Sequence, residues 1–142
     1  MRCRFLLAVG IFLAACSPSA AEKTLEFEDA WVRAAPPSAL MTAGFGRLVN
    51  NTDARLEITA YTSPSYGEVS LHETVIEDGV SRMRLVPLLS IPPGDEVELA
   101  PGAFHLMLMM PTYAVGLHNR VVLQIEEAGG QTFSFELPVE RR

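Results

Sequence analysis

The chain has 142 residues, with eleven basic against seventeen acidic side chains and a net charge of −6. An acidic chain repels a phosphate backbone, which excludes nucleic acid as a partner. Both cysteines, Cys3 and Cys16, stand at the extreme N-terminus, so the rest has neither thiol nor disulfide; a blue-copper centre, which needs a thiolate, is excluded as well.

Met1-Arg2-Cys3-Arg4 is a short basic start, and an apolar run from Phe5 to Ala15 follows it. The run is too short to remain as a membrane span and has the layout of a secretory signal. It ends in Leu13-Ala14-Ala15-Cys16, which resembles the bacterial lipoprotein cleavage box. The expectation is a signal peptide over residues 1–15, cleavage before Cys16, and a lipid on the Cys16 sulfur that anchors the protein to a membrane from the periplasmic side. Ordinary cleavage after Ala21 is the rival. Without residues 1–15 the chain keeps nine basic and seventeen acidic side chains, a charge near −8. Residues 16–24 read as a tether, and 25–140 as one β-domain of about 115 residues, a common size for a single core.

Within that domain the apolar pattern is short and alternating. Leu25, Phe27 and Trp31 fall on one parity of a first strand, and Ala43 and Phe45 mark a second that ends at Asn50-Asn51-Thr52-Asp53. Leu56, Ile58 and Ala60 alternate with Glu57, Thr59 and Tyr61. A strand from Val69 to Ile76 leads into Asp78-Gly79, a strong hairpin signal, with Val80 to Val86 as the return. Pro92-Pro93-Gly94-Asp95 and Pro101-Gly102 bracket a short strand around Val97 and Leu99. Phe104 to Met110 is apolar on both parities, as a central, covered strand would be. Val121–Glu126 and Thr132–Val139 form a last pair, joined through Gly129-Gly130. Seven to nine short strands with frequent turn signals predict an all-β fold, a single Greek-key β-sandwich or barrel.

The chemistry lies in His72, Met83, His105 and Met107, spaced His-x10-Met-x21-His-x-Met. If the Asp78-Gly79 loop has two or four residues, paired positions sum to 157. Met83 then opposes Thr74, and His72 is its diagonal neighbour on one face, roughly 7–8 Å away at Cα; a three-residue loop would reverse that parity. His105 and Met107 share a face, with Cα atoms roughly 6.6 Å apart. Thioether sulfur is soft and favours Cu(I) over zinc, calcium or magnesium, while imidazole accepts either copper state.

This pattern resembles that of the periplasmic copper chaperones called PCuAC, matching all four positions and both gaps. The stretch Pro101 to Met109 resembles the family's segment around its second histidine, and the likeness runs over about residues 26–140. The resemblance implies a cupredoxin-like β-fold and no enzymatic turnover. It further implies Cu(I) delivery to respiratory cuproenzymes such as the binuclear copper centre of cytochrome c oxidase. The copper-accepting partner would be an oxidase subunit or an assembly thiol protein. Some members carry a Met- and His-rich tail; here the sequence ends in Glu140-Arg141-Arg142, so a single site with one Cu(I) per chain is expected. The domain is separately expected to be a monomer.

Taken singly, each donor has an ordinary structural explanation: a hydrogen-bonded histidine, or a methionine filling a core gap. With six methionines and three histidines in the chain, joint agreement by chance is on the order of one in ten thousand. The alternatives are a copper storage or resistance protein with the same donors, and a structural β-sandwich lipoprotein without metal. Met41 and Met109 are further thioethers near the pattern, His118 reads as a loop histidine, and Trp31 as a core aromatic. No Gly-x-Ser-x-Gly elbow, Walker loop or His-Glu-x-x-His signature points to an enzyme.

Overall fold

The computed structural model describes residues 23–142; the expected signal peptide, the expected lipid on Cys16 and all but the end of the expected tether lie outside them. Ten strands follow in order: β1 (Leu25–Arg33), β2 (Met41–Asn50), β3 (Leu56–Ser63), β4 (Tyr66–Glu77), β5 (Val80–Leu85), β6 (Leu89–Ile91), β7 (Glu96–Leu99), β8 (Phe104–Pro111), β9 (Arg120–Glu127) and β10 (Thr132–Glu140). They run β4-β8-β7-β2-β1-β10-β9-β3 around a barrel that the β3–β4 pairing closes. Closure removes the exposed edges an open sheet would have. Strand β5 is appended to β4 and β6 to β3. The all-β barrel meets the expected fold class. It adds β6, whose three residues are too few to carry an alternating pattern.

The interior is aliphatic. Val32, Leu48, Ile58, Leu71, Leu106, Leu108, Leu123, Ile125 and Leu137 are almost wholly buried, each contributing roughly 1.5–3 kcal/mol of burial free energy. Asn50 is the most deeply buried of the polar residues described. It donates from Nδ2 to the carbonyl oxygens of Ala54 and Ile91, and its Oδ1 accepts from the Thr52 backbone and hydroxyl. Satisfied on both sides, it ties the β2–β3 turn to β6 without the cost of an unpaired buried amide.

Two interruptions change which face a strand presents. The β1–β2 register shifts between Glu28 and Trp31, where Asp29 takes a φ of 48°. An extra residue in one strand reverses the phase of everything after it. Leu25 and Phe27 therefore share the inward face of Leu48, whereas Trp31 pairs with Phe45 on the outside. The expected common parity of Leu25, Phe27 and Trp31 is broken by this bulge. The partner strand accommodates it with Gly46 at φ 144°, where an added Cβ would lie 2.8 Å from the Ala30 Cα. A similar shift between Ile58 and Ala60 against β9 turns Tyr61 inward instead of Ala60. The Tyr61 hydroxyl is buried with no hydrogen-bond partner, and that burial raises its pKa far above the ordinary phenol value.

Candidate metal centre

The Asp78-Gly79 turn decides the geometry. Both residues have positive φ, 51° and 77°, the signature of a two-residue type I′ hairpin loop. Glu77 accordingly pairs with Val80, Thr74 with Met83 and His72 with Leu85, which is the 157 register. Arg84 and Arg82 both reach the Glu77 carboxylate on the exposed face of the hairpin.

Strand β8 lies on the other side of β4, with His105 directly opposite His72 and Met107 opposite Ser70. It is paired on its far side with β2, where Met107 meets Ala43 and Met109 meets Met41. Alternation puts the inward side chains of β8 at Leu106 and Leu108. His105, Met107 and Met109 therefore face outward with Ser70, His72 and Thr74. The four residues of the pattern thus share the outer face of three adjacent strands.

An open depression of about 430 Å³ sits on this face, and Met83, His105 and Met107 line it together with Thr74, Phe45 and Met41. His72 stands beside it, its ring centroid 6.1 Å from that of His105 and the planes 30° apart. Near the aromatic wall, Trp31 packs on Phe45 at 4.9 Å, and the Arg33 guanidinium lies 4.9 Å from the Phe45 ring centroid. Trp31 is buried, as the sequence suggested, but against the outside of the barrel.

His105 is held firmly. It is only 6% exposed, and its Nδ1 lies 3.1 Å from the Ala103 carbonyl oxygen. A carbonyl only accepts, so Nδ1 carries the proton and Nε2 keeps its lone pair for a metal. The same carbonyl accepts from the Thr74 backbone at 3.1 Å. The Pro101–Ala103 turn, with Gly102 at φ 84°, therefore fixes both the ring and the spacing between β4 and β8. His72 is held more loosely, with Nε2 3.0 Å from the Ser70 hydroxyl. A hydroxyl can accept as well as donate, so with Nε2–H donating to Ser70 the Nδ1 lone pair is the one open to a metal. Partial burial lowers the His72 pKa, repulsion from His105 adds to that, and the Glu68 carboxylate opposes both. The ring is the more readily neutral, as ligation requires.

Among the described residues no group of three or more His, Cys, Asp or Glu side chains gathers in one place. A hard cation or a conventional zinc cluster finds no donor set here. Two thioethers and two imidazoles make a neutral, soft environment suited to Cu(I). Met41 on β2 is the thioether whose place the sequence left undecided. Only the long-range β2–β8 register brings it alongside Met107, and no local spacing signals that.

A profile described as "Putative lipoprotein LpqE-like" matches residues 25–139. "Putative lipoprotein Lxx21020" of Leifsonia xyli subsp. xyli is 29% identical over 134 residues, covering 94% of this chain and 80% of that one. The barrel superposes on the copper-bound PCuAC domain from PmoF2 with a TM-score of 0.69 at 17% identity, covering 87% of this chain and 97% of that one. It superposes on the Cu(I) form of DR1885 from Deinococcus radiodurans with a TM-score of 0.66 at 25% identity, covering 85% and 83%. The chain belongs to the LpqE-like family, and its domain is of the PCuAC type.

Proposed function

We propose that this protein is an extracytoplasmic copper chaperone in which His72, Met83, His105 and Met107 bind one Cu(I) per chain and pass it to an acceptor protein. The observation that carries the reading is the register: all four donors fall on one outer face of β5, β4 and β8. Soft thioethers select Cu(I), and neutral ligands leave its charge uncompensated, so the ion is held without being trapped. The copper in the PmoF2 and DR1885 domains supports the same cargo here. The protein acts by binding and ligand exchange, with no turnover of its own.

The recipient we assign is a respiratory cuproenzyme, namely the binuclear copper centre of cytochrome c oxidase, reached directly or through an assembly thiol protein. In this reading residues 1–15 direct export and Cys16 carries a lipid. Residues 16–24 tether a monomeric domain, residues 25–140, to the periplasmic face of a membrane. The lipoprotein descriptions of the family and of the Leifsonia protein support that placement.

Anaerobic titration of the domain with Cu(I) against a coloured chelator tests the site. One equivalent should bind, and Met107→Ala should weaken it by about a hundredfold, ~2.8 kcal/mol. Unchanged affinity in that variant and in His105→Ala would remove these residues from the site. Metallation of the oxidase copper domain by the loaded protein tests delivery; failure there, together with copper-sensitive growth of a deletion strain, would make the protein a storage or resistance factor.

A further inference from the structure

We infer that Met41 is a fifth copper donor, which takes Cu(I) from the opposite side of β8 and gives the ion a second resting position on its way out. The inference rests on the Cu(I)-binding reading above and extends it with a residue outside the four-residue pattern. Strand β8 is the axis of the arrangement. On one flank β4 and β5 carry His72 and Met83; on the other, β2 carries Met41.

Because Ala43 pairs with Met107 and Met41 with Met109, Met41 is the diagonal neighbour of Met107 on the same face. Such a pair lies about 7–8 Å apart at Cα, within reach of two flexible thioether side chains. Met41 and Met107 line the same depression as His105 and Met83. Met41 is also 54% exposed at the start of its strand, next to Leu40, whose carbonyl accepts from the Met110 backbone. The backbone there is pinned while the thioether stands free toward the cavity. Packing does not account for it, since a half-exposed methionine at this position fills no gap in the core.

The exchange conserves charge and oxidation state. As a Cu–S bond to Met41 forms, the bond to Met83 or His72 breaks, and copper stays Cu(I) with His105 and Met107 attached. The ion then sits nearer β2 and leaves the β5 side of the depression open to an incoming ligand from the acceptor.

The test is a titration of domain labelled with ¹³C at the methionine methyl groups, using Cu(I) and, separately, Ag(I) as a soft mimic. The Met41 methyl resonance should move with those of Met83 and Met107, while Met110, which does not line the cavity, stays in place. In parallel, Met41→Leu should weaken Cu(I) binding severalfold more in a Met83→Ala background than in the wild type, because Met41 substitutes for the missing thioether. A stationary Met41 methyl, or an equal effect of Met41→Leu in both backgrounds, would overturn the inference while leaving the four-donor site intact. Absence of any Cu(I) binding by the unmodified domain would overturn the site itself and this extension with it.

Discussion

Strands β8 and β5 each carry side chains of the proposed copper site, yet they are opposite kinds of structure. Strand β8 is built into the barrel wall, paired with β4 on one side and β2 on the other, with Leu106 and Leu108 driven into the core. Strand β5 pairs with β4 alone, and every one of its six residues is exposed, Met83 at 61%. His105 and Met107 therefore have positions set by the whole fold, whereas Met83 is positioned by a two-residue turn and a single ladder. In the proposed chaperone reading, the difference separates holding from handing over: the pair fixed in the wall would define where the ion rests, and the thioether on the appended arm would be the one an acceptor displaces without disturbing the barrel.

That contrast can be broken from either side. The largest effect should come from Leu106→Ala on β8. The residue has no exposed surface, and truncating it should cost about 2–5 kcal/mol in a denaturant melt. Met83→Ala on β5 should change stability by under about 0.5 kcal/mol while still weakening copper binding. Equal destabilisation by the two variants would erase the distinction between wall and arm.

A sharper test leaves every donor in place. Inserting one glycine after Gly79 makes a three-residue loop and moves β5 by one position, so that Met83 turns to the opposite face. Copper affinity should fall about as far as in Met83→Ala, with the melt unchanged. Retained affinity would mean that β5 slips or bulges back into register, and that the turn does not control the site.

The smallest effect is one of pH and concerns His72, on the strand between wall and arm. Its pKa in the fold lies below the ordinary 6.5 because of partial burial first and His105 second. As the pH falls through 6.5, the unfolded chain takes up the proton before the folded one does. The copper-free domain should therefore lose stability from about that pH downward, until the folded ring is protonated as well. His72→Asn should flatten this part of the profile. An unchanged slope would assign it to other groups.

The parts of this architecture legible in the sequence are those specified by neighbours in the chain. Asp78-Gly79 encodes its own backbone geometry, so the pairing of His72 with Leu85 and of Thr74 with Met83 follows from counting. The central position of Phe104–Met110 follows from apolar residues on both parities. What escaped counting was phase. The extra residue near Asp29 turned Trp31 outward, and the shift at Ala60 turned Tyr61 inward; neither is marked by a motif. Met41 was illegible for another reason. Its proximity to Met107 depends on β2 and β8 lying side by side across more than sixty residues of chain, and that is set by barrel closure rather than by any local signal.

The β1 bulge has one more consequence. It places the chain's single tryptophan against Phe45, an aromatic lining the outer-face depression, and beneath the Arg142 guanidinium at 5.2 Å. The indole emission of this protein therefore originates from one side of the barrel alone. The domain carries its own optical label next to the proposed copper site, and the opposite wall, where β3, β9 and β6 pack, is dark to it.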